Sequence, residues 1–223
     1  MRPALLRNGI ALFVSGLLTT AAPAFADRPA AGFTPPTSAE EAVKAIERHY
    51  GGIEDLTAKV VQKNFLKSVG KTQTFTGSLS VKKPGRLRLA YTNGQVVVID
   101  GKVVWFYSRE NAQVIRRTFQ DFEHANIPVA FLLGAGTVLR DFDVSLAGPE
   151  EGGMLELVPK KHGAAMIKLR LLSDDSGRIT RMIIYDRSGN TSDLLFTDVH
   201  ENVGVDDAQF RFKVPKGTEV IDQ

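Results

Sequence analysis

Chemistry in a 223-residue chain without cysteine has to come from histidines, carboxylates, hydroxyls or a bound cation. The four histidines, His49, His124, His162 and His200, are far apart and form no HExxH or other ligand-like pair. They read as surface or helix-end residues. Asp141 and Asp143 lie two apart, and paired carboxylates can do acid–base work. Yet Phe142 and Val144 claim the core face of that segment, which sends both acids to solvent. Asp174-Asp175 and Asp206-Asp207 read as turn and helix-start residues. There is no G-x-S-x-G and no P-loop. Gly134-Ala135-Gly136 is a fragment of a G-x-G-x-x-G that follows a helical stretch, the wrong context for a dinucleotide. A secreted hydrolase therefore has no nucleophile or metal motif to stand on, and no catalytic residue, metal site or cofactor is expected.

Basic residues are the other candidate. Lys82, Lys83, Arg86 and Arg88 cluster, with Arg116-Arg117 and Lys160-Lys161 beyond. Nucleic-acid binding would want aromatics between them, and Pro84, Gly85 and Leu87 stand there instead. A solvated sheet face is expected, with an acidic protein partner as the functional alternative. The formal net charge is +3. Part of it belongs to residues 1–26, which read as a secretory signal: Arg2 and Arg7, an apolar run from Ile10 to Leu18, and an Ala24-Phe25-Ala26 cleavage site. Those residues hold two Arg and no acid, so their removal takes +3 to +1. No later segment has the ~18 consecutive apolar residues of a membrane helix. The expected mature protein is exported and soluble, without a lipid-bearing cysteine.

The elements that must position any site follow from periodicity. Residues 27–37, with Pro29, Pro35 and Pro36, form a flexible lead-in, and 38–223 one domain. Ser38 and Glu41 make a capping box. Ala39, Ala42, Val43, Ile46 and Tyr50 then recur at helical spacing, and Gly51-Gly52 ends the helix. From Leu56 onward the period is two. Phe75–Val81, Leu87–Tyr91, Val96–Ile99, Val103–Tyr107 and Gln113–Thr118 follow as strands, joined by short turns such as Asn93-Gly94. Phe119 to Leu139 breaks the alternation and reads as one or two apolar helices, with Pro128 in a first turn. Strands resume at Phe142–Leu146, Leu155–Val158, Ile167–Leu172, Ile179–Tyr185, Leu194–Val199 and Phe210–Val214. The fold class is mainly β with covering helices: about eleven antiparallel strands under two or three helices. A sheet so long with so little cover closes on itself or encloses a hydrophobic cavity.

Val81-Lys82-Lys83-Pro84-Gly85-Arg86-Leu87-Arg88, followed by Asp100-Gly101-Lys102 and Trp105-Phe106-Tyr107, resembles the outer-membrane lipoprotein carrier family (LolA). Val61-Gln62-Lys63, Ile127-Pro128 with Phe131-Leu132, Leu157-Val158-Pro159-Lys160 and Phe210 to Gly217 continue the match in order. The resemblance implies an incomplete β-barrel lidded by helices and a periplasmic chaperone with no covalent chemistry. It implies acylated lipoproteins as cargo, taken from an ATP-driven inner-membrane transporter and given to an outer-membrane receptor by a monomeric carrier. A carrier of another amphiphile with the same fold is the alternative. By the motif match, Leu79, Val81, Leu87, Leu89 and Tyr91 line the lipid-binding cavity. Trp105 and Tyr107 share one face of their strand, and that face is assigned to the cavity too. Phe131 and Leu132 are expected on the underside of the lid. Family members commonly have an Arg before Pro84 that bonds lid backbone carbonyls. Lys83 stands there, without Arg's planar fork, so Lys83 or Arg86 is the expected latch.

Overall fold

The computed structural model describes residues 38–119, 138–148, 153–160 and 166–223. Helix α1 (Ala39–Gly51) starts where Ser38 accepts a hydrogen bond at Oγ from the Glu41 amide, 3.2 Å away. Its apolar stripe, Ala42, Val43, Ile46 and Tyr50, is buried. The strands are β1 (Asp55–Leu66), β2 (Lys71–Lys82), β3 (Arg86–Tyr91), β4 (Gln95–Asp100), β5 (Val103–Ser108) and β6 (Gln113–Thr118). After a short helix α2 (Val138–Asp141) come β7 (Phe142–Leu146), β8 (Leu155–Pro159), β9 (Met166–Ser173), β10 (Ile179–Asp186) and β11 (Thr191–Glu201). A 3-10 turn (Asp207–Phe210) and β12 (Glu219–Asp222) complete the described elements.

All twelve strands belong to one sheet in the order β12-β6-β5-β4-β3-β2-β1-β11-β10-β9-β8-β7. It is unclosed, with β12 and β7 at its two ends. Residues from both halves nevertheless meet in one apolar cluster. Val104 of β5 and Phe142 of β7 share it with Leu56, Val81, Leu87, Leu157, Leu169 and the α1 stripe. The sheet must therefore curl, with this face inside and α1 across it. A bulge assists on β11. The β1–β11 register shifts between Thr57 and Lys59, and Asp198 takes φ +52°. Phe196 and Val199 thereby both pack against the inner cluster, although three positions apart.

Two expectations are corrected. Phe210–Val214 is not a strand, because Asp206 caps the 3-10 turn that ends at Phe210. The last strand is β12, which pairs with β6 in parallel while every other pair is antiparallel. The segment between them crosses the outer face. Phe210, at 1% exposure, and Val205 are buried there together with the outward-facing Val98 and Val114.

Candidate functional site

The inner face is built row by row from the ladder. Leu56, Val81, Leu87, Ile99 and Val104 stand side by side across β1 to β5. The next row is Ala58, Leu79, Leu89, Val97 and Phe106. No register shift interrupts these hairpins, so one inward residue fixes the parity of all five strands. Leu79, Val81, Leu87 and Tyr91 are buried on this face. Leu89 is half-buried against the cluster, as are Val97, Phe106, Ile184, Leu194 and Phe196. These six still expose apolar surface on the inside of the curl, so an apolar ligand could cover them without displacing the core beneath α1.

Trp105 and Tyr107 are not among them. Val104 and Phe106 take the inner face, and parity sends Trp105 and Tyr107 outward. There both rings pack on Phe212, with centroids 5.5 Å and 6.0 Å away, and the Arg116 guanidinium lies over Trp105. The Asn93-Gly94 signal does not settle this: as a two-residue turn it would pair Leu87 with Asp100 and send Trp105 inward, whereas the loop holds three residues, Thr92 to Gly94, so that Leu87 faces Ile99 and Ile99 faces Val104. Val97 and Phe106 were missed for the same reason.

Helix α1 is tied down at its C-terminal end. The Ile179 amide donates to the Tyr50 hydroxyl at 3.1 Å, and burial pushes that phenol up to about 12. His49 Nε2 lies 2.9 Å from Glu201 Oε1, which Arg178 also reaches. Gly177, at φ +88°, lies so close that a Cβ there would be 2.3 Å from the Ala45 carbonyl oxygen. Lys83 Nζ donates to the Tyr50 carbonyl, and burial lowers its pKa.

Arg86 serves elsewhere. It faces outward beside Leu87, and its guanidinium lies 2.6 Å from Asp207. Lys82 is 2.6 Å from the same carboxylate and donates to the Val205 carbonyl. Hydrogen bonding from Lys82, opposed by burial, and then from Arg86 holds Asp207 below the usual carboxylate range. The acidic partner of this basic cluster is thus the chain's own C-terminal segment. Asp55 anchors the start of that segment: its buried carboxylate accepts from the amides of Val203, Gly204 and Val205 at 2.8–3.1 Å.

Phe131, Leu132, His124 and His162 lie outside the described residues. Asp143 is exposed, and His200 lies 2.9 Å from exposed Asp198. Among the described residues no group of three or more His, Asp or Glu could hold a metal ion. No helix among them is long and apolar enough to cross a membrane.

An outer-membrane lipoprotein carrier protein from Pseudomonas aeruginosa PAO1 is 30% identical over 217 residues, 95% of this chain and 97% of that one. One from Chromobacterium violaceum is 30% identical over 197 residues, 86% and 92% of the two chains. Among solved structures, a LolA superfamily protein from Nitrosomonas europaea is similar over 79% of this chain and 99% of that one, at 14% identity and a TM-score of 0.45. Residues 51–213 match the family described as "Outer membrane lipoprotein carrier protein LolA". With most of its sheet inside that match, the chain belongs to the outer-membrane lipoprotein carrier family.

Proposed function

We propose that the protein is a periplasmic carrier that shields the acyl chains of lipoproteins and performs no covalent chemistry. The observation that supports this most is the inner face itself. An unclosed twelve-stranded sheet in a member of this family keeps Leu89, Val97, Phe106, Ile184, Leu194 and Phe196 half-buried rather than packed shut. Each acyl CH₂ withdrawn from water is worth ~0.8 kcal/mol, so acyl chains need such a face to travel through an aqueous compartment. Transfer also requires release, and an open edge with a helix over it permits both.

In this reading residues 1–26 direct export and are removed, and residues 38–223 are the carrier domain. An ATP-driven inner-membrane transporter loads the cargo, and an outer-membrane receptor accepts it. Lys83, through the Tyr50 carbonyl, is the latch that holds α1 closed. The test is native mass spectrometry of the purified protein with a synthetic tripalmitoylated cysteinyl peptide. A one-to-one complex is expected, weakened at least tenfold by Phe106→Glu. Absence of any complex, or equal binding by the variant, would overturn the reading.

A further inference from the structure

Along β1 and β2 the inner face changes character. Beyond the row of Val60, Gly77 and Tyr91, the inward residues are Gln62 opposite Phe75 and then Asn64 opposite Gln73. Gln62 is 1% exposed and Asn64 5%, which is unusual for amides in a strand. They satisfy one another in a chain. The Tyr91 hydroxyl donates to Gln62 Oε1, and Gln62 Nε2 donates to Asn64 Oδ1 at 2.8 Å. Burial raises the Tyr91 phenol well above its ordinary value, so it stays a donor. The chain stops at Asn64. Across the ladder, Gln73 Oε1 is buried with no hydrogen-bond partner among the described residues.

We infer that this polar strip, Gln62, Asn64, Gln73 and Tyr91, is a subsite for the amide linkages at the lipidated cysteine, with Gln73 Oε1 accepting an N–H from the cargo. The inference rests on the carrier reading and deepens it. An orphaned buried acceptor needs a donor. Methylenes offer none, and glyceryl esters offer only acceptors. An N-acylated cysteine has an amide N–H beside its acyl chains, and the peptide that follows has more. Hydrocarbon would lie along the apolar rows toward α1, and the amides would fall on the strip where those rows end. The subsite would thus distinguish a lipidated peptide from a donor-free glyceryl ester of equal chain length.

The experiment measures displacement of a bound fluorescent apolar dye by three probes. One is a tripalmitoylated cysteinyl peptide, one is the same peptide N-methylated at the N-acyl and first peptide amides, and one is 1,2-dipalmitoyl-3-acetylglycerol, which has no donor. Wild type should bind the first about five- to tenfold more tightly than the second, the range set by one buried neutral hydrogen bond. Gln73→Leu should lose that factor for the first probe, show no change for the other two, and melt no lower than wild type. Equal affinity of wild type for the first two probes would overturn the inference, as would a Gln73→Leu loss of the same size for all three. The methylation arm uses wild type alone, so it decides the matter even if the variant does not fold. Failure of wild type to bind any lipopeptide would sink the carrier reading, and this inference with it. Tight lipopeptide binding that ignores methylation sinks only the subsite.

Discussion

Lys83→Ala should loosen α1 without unfolding the sheet. The bond from Lys83 Nζ to the Tyr50 carbonyl is charge-assisted and lies at a helix C-terminus, both of which favour it. Two facts limit its worth. The ammonium is only part-buried, so solvent screens it. The carbonyl also keeps the Gly52 and Ile53 amides when Lys83 is removed, so no orphaned acceptor remains. Together these leave about 1–2 kcal/mol, less than a fully buried charged hydrogen bond would give. If the bond acts on local opening of α1, amide exchange across residues 39–51 should accelerate by roughly 5- to 30-fold. Hydrogen–deuterium exchange with mass spectrometry reads this directly, with peptides from β1–β3 as the internal control. Lys83→Arg should restore protection, since the guanidinium can reach the same carbonyl. Unchanged exchange in α1, or equal acceleration in α1 and the strands, would refute the argument that Lys83 is a latch.

Three further outcomes follow from the same geometry. The chain's one tryptophan, Trp105, faces outward; brominated acyl chains on a bound lipopeptide should therefore quench its fluorescence weakly, while a Phe106→Trp, Trp105→Phe protein should be quenched strongly. Equal quenching in the two would mean that the faces are misassigned. Asp55→Ala strands three backbone N–H groups and should cost about 3 kcal/mol, or roughly 6–12 °C in Tm. A loss under 2 °C in calorimetry would show that water replaces the carboxylate without penalty. Glu156 is held below its ordinary pKa by hydrogen bonds from Lys168 and then Arg170. A depressed carboxylate contributes stability above its unfolded pKa, and that stability fades as pH falls through the folded one. Wild type should therefore exceed Glu156→Gln by about 1 kcal/mol at pH 7, and the gap should close below about pH 4. A gap independent of pH would contradict the ion-pair account.

Much of this fold was legible because strands alternate and their turns are short. The Leu87, Leu89, Tyr91 face needed only parity, and Ser38 announced the helix cap. Legibility failed where both faces of a strand are covered. Val103 to Tyr107 is apolar at every position, since α1 and the inner core take one side and the C-terminal segment the other. Periodicity then gives two faces without saying which is inside, and the tryptophan drew the wrong assignment. Phe210, Phe212 and Val214 alternate like a strand, but these positions lie over the outer face, where the aromatic pair packs against the sheet without joining it. Lys82 and Arg86 point outward, but under the C-terminal segment rather than into open solvent, and Lys83 turns to α1. That the counter-charge of Lys82 and Arg86 is Asp207 of the same chain depends on a contact between segments 121 positions apart, which no local pattern encodes. The polar strip was hidden because amides read as solvent-facing, yet Gln62 and Asn64 continue the inward parity of Val60 and are buried, and half-buried Gln73 has its Oε1 shut off from solvent.

The central claim is that this inner face carries acyl chains through water. Its most direct test adds the purified protein to spheroplasts of the source bacterium, then removes the membranes and assays the supernatant for acylated lipoproteins bound to it. The account predicts soluble, roughly one-to-one complexes with triacylated lipoproteins, and none with a Phe106→Glu protein that remains folded by circular dichroism. A supernatant holding only free lipid, or no lipoprotein above the level released without the protein, would contradict it.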